Sequence, residues 1–141
     1  MDVLLSIKPK YVEEIKRETK RYEFRKSIFK SLGDSDRVFI YSSSPVKKIV
    51  GCFKVGKILE ENPRVLWQEL KDFAGINEED FFKYFEDKEK GFAVSIEELN
   101  IFKNPIDPKE IKEDFRPPQT FSYIDENIVN KVITYTNKVV G

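Results

Sequence analysis

The sequence predicts one α+β domain over residues 1–141, with a small, mostly antiparallel β-sheet or barrel flanked by helices. The length of 141 residues is typical of one domain. A hydrophobic content of 40%, including 12 Phe, is enough to form a core. Short apolar runs alternate with segments of helical spacing, in the predicted order β-α-β-β-β-α-α-β.

The first third of the chain predicts three strands and a helix. Val3–Ile7 is a short apolar run typical of a buried strand, and Pro9 suits the first turn of the helix that follows. Residues 20–25 alternate, so Tyr22 and Phe24 are expected to face the core, while the charged residues of the opposite face meet solvent or ligand. Residues 38–41 predict the next strand.

The remaining elements follow from spacing and from helix-capping residues. Residues 48–58 predict a long strand. Asn62-Pro63 and Asn77 begin two short helices, and Gly75 ends the first of them. Residues 91–101 predict a strand, which Asn104-Pro105 and Asp107-Pro108 end. Residues 116–121 predict an extended segment, and residues 128–139 predict a closing helix. The aromatic residues of the central helices are expected to be core, namely Trp67, Phe81, Phe82 and Phe85.

Several classes of site are excluded by composition. The chain has no His and one Cys, so Ser-His-Asp and Cys-His catalysis and His-ligated metals are excluded, and we expect no metal and no cofactor. It contains neither a GxxxxGK[ST] nor a GxGxxG motif. The N-terminus lacks the pattern of a signal peptide, no apolar run is long enough to span a membrane, and the lone Cys52 fits a reducing compartment, so a cytoplasmic location is expected.

Charge is distributed unevenly along a chain of zero net charge. Residues 1–58 hold 14 Lys and Arg against 7 Asp and Glu, a net +7, and residues 59–141 hold 11 against 18, a net −7. A solvated surface explains this as well as a binding surface does. Nine cations between residues 8 and 30 favour a surface for nucleic acid. The acidic C-terminal half leaves a third alternative, a module that binds a basic protein partner.

Four segments, in order, resemble the ASCH family of PUA-like domains. Glu18-Thr-Lys-Arg-Tyr-Glu-Phe-Arg25 is similar to the family signature G-x-K-x-x-E-x-R, with Glu18 in place of the glycine. That replacement matters if the turn needs a positive φ. The other three segments are Leu5–Pro9, residues 40–46 with the strand that follows them, and Pro117–Phe121.

The resemblance implies a pseudo-barrel with a cleft that holds RNA or a modified nucleoside or nucleotide, in a binding and possibly regulatory module. The cleft is expected to be formed by the K-x-x-E-x-R strand, the SSSP loop and the PPQTF segment. Lys8, Lys20 and Arg25 would supply cations, and Glu23, Ser43, Ser44 and Gln119 would contact the ligand as polar groups.

The family also contains ribonucleases and amidohydrolases that act on acetylated cytidine, so a cofactor-independent hydrolase is the alternative function. In that case Lys20 would be the catalytic base and Glu23 would carry a proton. Lys20 matches the lysine of the amidohydrolases, whereas position 23 is Glu where those members have Thr.

Each candidate residue also has a purely structural interpretation. Glu23 and Arg25 can form an ion pair within the strand, the Ser42–Ser44 hydroxyls can satisfy a turn, and Gln119 can cap the sheet. Tyr41 and Tyr123 can stack on a base or pack inside the protein.

Overall fold

The computed structural model describes the backbone of residues 1–140 and the side chains of residues 1–135. Six strands, four α-helices and two short 3-10 helices follow one another along this part of the chain. In chain order they are β1 (Val3–Ile7), α1 (Pro9–Lys16), β2 (Tyr22–Arg25), β3 (Val38–Ser42), β4 (Lys48–Glu61), α2 (Pro63–Leu70), a 3-10 helix (Lys71–Phe73), α3 (Glu78–Tyr84), β5 (Gly91–Ile106), a 3-10 helix (Pro108–Glu110), β6 (Phe121–Tyr123) and α4 (Glu126–Val140).

The strands form one mixed sheet in the order β2-β5-β4-β3-β1-β6. β1 runs parallel to β3, whereas β1 with β6, β2 with β5 and β3 with β4 are antiparallel. Gly51 approaches Asn100 and Gly56 approaches Glu97, so β4 and β5 also run in opposite directions. The α+β class and the mostly antiparallel sheet are therefore confirmed. Within the described part of the chain β2 and β6 are the two end strands of this sheet, which does not pair β2 with β6 into a closed barrel.

The chain divides into two compact units. The first consists of residues 1–9, 29–54 and the chain from residue 98 onward, and the second of residues 10–28 and 55–97. The prediction of one domain over residues 1–141 stays a prediction.

The first unit has an interior built on β1 and β3. All five β1 residues pair with β3, from Val3 opposite Val38 to Ile7 opposite Ser42, and both strands are almost fully buried. Such continuous apolar strands are typical of parallel pairs buried on both faces. Val129 and Val132 of α4 belong to the same apolar cluster. The spacing of the closing helix also predicts an apolar face of Val129, Val132, Ile133 and Tyr135; Val129 and Val132 are buried and Ile133 packs against their cluster, whereas Tyr135 is exposed.

The second unit has an aromatic interior. Asn62 and Asn77 cap α2 and α3, since each side chain accepts a backbone N–H of the first turn. The capped helices place Phe81 and Phe85 in a cluster with Phe24 of β2, where the rings meet edge to face. The predicted core role is confirmed for Phe81 and Phe85, which are buried, and for Trp67 and Phe82, which pack against them half-buried.

The predicted strand boundaries were too short in two places. β4 continues to Glu61, and β5 continues through Asn104-Pro105 to Ile106. Proline interrupts a strand only where its missing N–H is needed by a neighbour. β2 pairs with β5 only from Phe92 to Ser95, so Pro105 does not face β2. Among the described residues no helix combines the length and the apolar character needed to cross a bilayer.

Candidate functional site

The turn between α1 and β2 places the signature lysine. Past the end of α1, the N–H groups of Thr19 and Lys20 both donate to the carbonyl oxygen of Glu14, which closes the helix. Glu18 lies within this closure and has φ +62°. This is the position where the family signature has glycine, so the turn needs the left-handed conformation that glycine adopts without cost.

Lys20 is buried, with 3% of its surface exposed. Its ammonium nitrogen Nζ donates to the carbonyl oxygen of Ala74 at 2.9 Å and lies 3.7 Å from Oε1 of Glu23. The same nitrogen lies over the rings of Phe24 and Tyr11, at 4.8 and 5.5 Å from their centroids. Burial lowers the pKa of Lys20 below its ordinary value, and the negative charge of Glu23 opposes that shift.

Glu23 shares this environment, with 6% of its surface exposed. Its Oε1 accepts the backbone N–H of Phe24 at 3.1 Å and pairs with Lys20. The charged face of β2 was predicted to meet solvent or ligand; burial rules out solvent for Glu23, and its contact with a ligand stays a prediction. Glu23 is buried because β2 pairs with β5, where Glu23 is opposite Val94, and the buried ammonium of Lys20 compensates the carboxylate.

Arg25 lies at the end of β2, opposite Phe92 and partly exposed. Its positive charge lowers the pKa of Lys20 and opposes the burial that raises the pKa of Tyr84. Glu23 pairs with Lys20, and the ion pair of Glu23 with Arg25 that the sequence suggested stays a prediction.

Glycine at position 75 allows the close approach of Lys20 to the segment that follows α2. Gly75 has φ +61°, and a Cβ atom there would lie 2.2 Å from the Cβ of Lys20. Lys20 and Ala74 also form an antiparallel bridge, and the N–H of Arg21 donates to the carbonyl of Phe73 at 2.8 Å. Sequence reasoning assigned Gly75 only a helix-ending role and missed Ala74 as the lysine's partner. Two small residues in a row, Ala74 and Gly75, were the feature of the sequence that could have indicated a close approach by another segment.

Four other candidate residues belong to the first unit, around the end of β1. Lys8 follows β1 directly and is exposed. The N–H of Ser43 donates to the carbonyl of Ile7, and Ser44, which precedes a cis proline, is exposed. Ser6 donates through Oγ to the carbonyl of Pro118, the neighbour of Gln119.

This arrangement holds the Ser43–Ser44 turn and the Pro117–Phe121 segment against the same end of one strand. Gln119 is exposed, and Ser43 is partly exposed. An ammonium, two hydroxyls and an amide are groups that can bind phosphate and the polar edges of a base.

The two tyrosines have different environments. Tyr41 is buried against the ring of Phe115, which confirms packing rather than base stacking in this structure. Tyr123 is exposed, and its hydroxyl oxygen accepts the N–H groups of Lys30 and Ser31 at 2.8 and 3.1 Å. These two donors lower the pKa of Tyr123. Among the described side chains no three His, Cys, Asp or Glu residues are grouped so that they could hold a metal ion.

Comparison with known proteins gives full-length matches. An ASCH domain-containing ribonuclease of Zymomonas mobilis is 28% identical over 145 aligned residues, covering 98% of this chain and 94% of the relative. The crystal structure of ASCH from Zymomonas mobilis matches with a TM-score of 0.86 and 26% identity, over 94% of each chain. The N-terminal domain of Staphylothermus marinus McrB shares the fold, with a TM-score of 0.63 at 12% identity over 94% of this chain and 92% of that one.

A family model described as a domain of unknown function, DUF365, matches residues 1–113. The resemblance to ASCH domains that the sequence motifs indicated is confirmed by the full-length matches. The chain therefore belongs to the DUF365 family and has the fold of an ASCH domain.

Proposed function

We propose that this protein is an RNA-binding ASCH module. The observation that carries the proposal is the match over nearly the whole of both chains to a Zymomonas mobilis protein named an ASCH domain-containing ribonuclease. A protein of that name acts on RNA, and a TM-score of 0.86 means that the two chains share one backbone arrangement. The ligand class is therefore RNA or one of its nucleosides.

The exposed polar groups at the end of β1 support this proposal. The ammonium of Lys8 is suited to a phosphate, and the hydroxyls of Ser43 and Ser44 and the amide of Gln119 are suited to base edges and the ribose 2′-hydroxyl. The backbone hydrogen bond from Ser43 to Ile7 fixes the serine turn, so the turn that carries the two hydroxyls is held in place before the ligand binds.

A second set of cations lies in the other unit. Arg25 is partly exposed, and the remaining cations of this set are exposed: Lys10, Lys16, Arg17, Arg21 and Lys26. Cations of this kind bind phosphates without regard to sequence and release counterions, so the affinity for RNA falls as salt concentration rises.

The test is one incubation of the purified protein with end-labelled RNA of mixed sequence, analysed on a native and a denaturing gel. The expected result is a shifted band that weakens with added salt and with Lys8→Ala. Lys103→Ala is the matched control, because Lys103 is an exposed lysine of the same unit. The absence of a shift at low salt would contradict RNA binding and would turn attention to free nucleosides or to a protein partner of the acidic half.

Hydrolysis of RNA is the second candidate function, and the environment of Lys20 favours it. A buried lysine with a lowered pKa is more readily neutral, and a neutral amine can act as a base. Glu23, 3.7 Å from its ammonium, can carry the proton.

The ribose 2′-hydroxyl attacks the neighbouring phosphorus and gives its proton to the Lys20 amine. The bond between phosphorus and O5′ then breaks, and the pair of Lys20 and Glu23 returns a proton to the departing O5′. Both side chains are buried, so a substrate must open access to this pair before the step can occur.

The denaturing gel tests this second candidate. If the protein hydrolyses RNA, the wild type should give cleavage products that Lys20→Met and Glu23→Gln do not give, while both variants still shift the RNA on the native gel. Cleavage by the wild type should also persist in the presence of a chelator. A shift with no products from RNA, and no release of acetate from acetylated cytidine, would leave the protein as a binding module.

A further inference from the structure

Phe73 is the exception among the phenylalanines of this chain. The chain has 12 Phe, and the other eleven are buried or partly buried, whereas 45% of the surface of Phe73 is exposed. Its chain neighbours Lys71 and Asp72 are exposed and charged. The ring is therefore next to charged groups along this segment of the chain.

A cation lies on this exposed ring. The guanidinium carbon Cζ of Arg21 is 4.8 Å from the centroid of the Phe73 ring. This distance is within the range of a cation–π contact. Arg21 is itself exposed, so the pair presents to solvent an aromatic ring with a planar cation lying over it.

The backbone that carries this pair is fixed from both sides. The N–H of Arg21 donates to the carbonyl of Phe73 at 2.8 Å. One residue before Arg21 and one residue after Phe73, Lys20 and Ala74 form an antiparallel bridge, and the Lys20 ammonium donates to the Ala74 carbonyl at 2.9 Å. Because the two backbone segments that carry the ring and the guanidinium are held together before a ligand arrives, binding costs less ordering entropy.

We propose that Phe73 and Arg21 form a stacking platform for a base of single-stranded RNA. The base stacks on the exposed part of the ring, and the guanidinium of Arg21 donates hydrogen bonds to the adjacent phosphate. Proteins that bind single strands combine these two groups, an aromatic face and a cation for the backbone. The inference rests on the proposed RNA binding and names one place where the RNA lies.

The experiment measures binding of a single-stranded RNA of about twelve nucleotides, within the usual site size, that carries a 2-aminopurine base. Wild-type protein is expected to bind it and to quench the 2-aminopurine emission by stacking. Phe73→Ala should weaken binding by about tenfold to a hundredfold, because stacking on an aromatic ring contributes that much per base. Phe73→Trp should keep both the affinity and the quenching, and Arg21→Gln should weaken binding and reduce its salt dependence.

Tyr135→Ala is the matched control, since Tyr135 is an exposed aromatic residue of the other unit with 36% of its surface exposed. If the wild-type protein binds the RNA and Phe73→Ala binds it no more weakly than Tyr135→Ala does, the proposed stacking platform is wrong, whereas the proposal of RNA binding stands. If wild-type protein does not bind RNA, both proposals fail. Retention of RNA affinity and quenching in Phe73→Trp would show that Phe73→Ala loses affinity through lost stacking and not through unfolding.

Discussion

Two groups of polar residues, both predicted from the sequence as ligand-binding, have opposite environments in this molecule. Lys20 and Glu23 are buried against Ala74 and two aromatic rings. Lys8 and Gln119 are exposed beside the end of β1. The same kinds of side chain therefore serve as an interior ion pair in one unit and as free surface groups in the other. The two groups differ in the packing around them, because a charged side chain is buried only where an opposite charge or a hydrogen-bond partner compensates its lost hydration.

The largest expected effect comes from breaking the buried pair. Lys20→Met keeps the length of the side chain and removes the charge, so Glu23 is left buried without its cation. Removing one partner of a buried pair typically costs about 3–5 kcal/mol of stability. Urea unfolding measures the change, and Lys20→Met combined with Glu23→Gln should recover part of the loss. A cost of the single variant below about 1 kcal/mol, the ordinary effect of a surface change, would mean that the pair is not buried in solution.

Gly75→Ala tests the close approach that creates this environment. The new Cβ atom would lie 2.2 Å from the Cβ of Lys20, at a residue whose φ is +61°. Overpacking and the left-handed backbone together predict a loss of about 2–4 kcal/mol. The control is Gly33→Ala in the other unit, where the nearest atom is a flexible Asp36 side-chain oxygen at 3.3 Å. Equal melting temperatures for the two variants would contradict the packing described for Lys20.

The pH dependence of stability sharpens the same comparison. The pKa of Lys20 is lowered by burial from its ordinary value of 10.5. Between the lowered value and 10.5 the unfolded chain binds more protons than the folded chain, so this group makes stability rise as pH rises. Wild-type protein should therefore gain stability relative to Lys20→Met over that interval, whereas Lys8→Ala should follow the wild type. A constant difference up to pH 10.5 would show that Lys20 titrates normally.

The smallest expected effect is a gain in stability at Glu18. Glu18 has φ +62°, and glycine removes the strain of a side chain in that conformation. Glu18→Gly is expected to stabilise the protein by about 0.5–1 kcal/mol. The strain energy that is relieved exceeds the free-energy cost of the greater conformational entropy that glycine gives the unfolded chain. Thermal unfolding measures this shift, with Glu13→Gly inside α1 as a destabilising control. Destabilisation by Glu18→Gly would contradict the left-handed turn.

The elements that the sequence predicted well are those with local signals. Asn62 and Asn77 have capping side chains, and the helices begin there. The continuation of β5 through Pro105 was not predictable, because a proline is tolerated only where the neighbouring strand has already ended.

The candidate site shows the same division between local and distant information. The motif predicted that Lys20 and Glu23 matter, but it gave no sign that both are buried. Their burial depends on Ala74 and Gly75, more than fifty positions away in the chain, which only the fold brings to Lys20. Phe73 was missed for the same reason, since an exposed and a buried phenylalanine look alike in sequence.

The central claim is that the exposed group of Lys8 and Gln119 binds RNA, whereas the buried pair of Lys20 and Glu23 stabilises the fold. It is tested most directly by measuring both the RNA affinity and the melting temperature of one variant from each of these two groups. We predict that Lys8→Ala with Gln119→Ala weakens RNA binding by about tenfold, as expected for lost hydrogen bonds to a charged ligand, and leaves the melting temperature unchanged. Lys20→Met should lower the melting temperature and leave the affinity of the folded protein within about twofold. The opposite pattern, with affinity lost in Lys20→Met and retained in the double variant, would contradict this account.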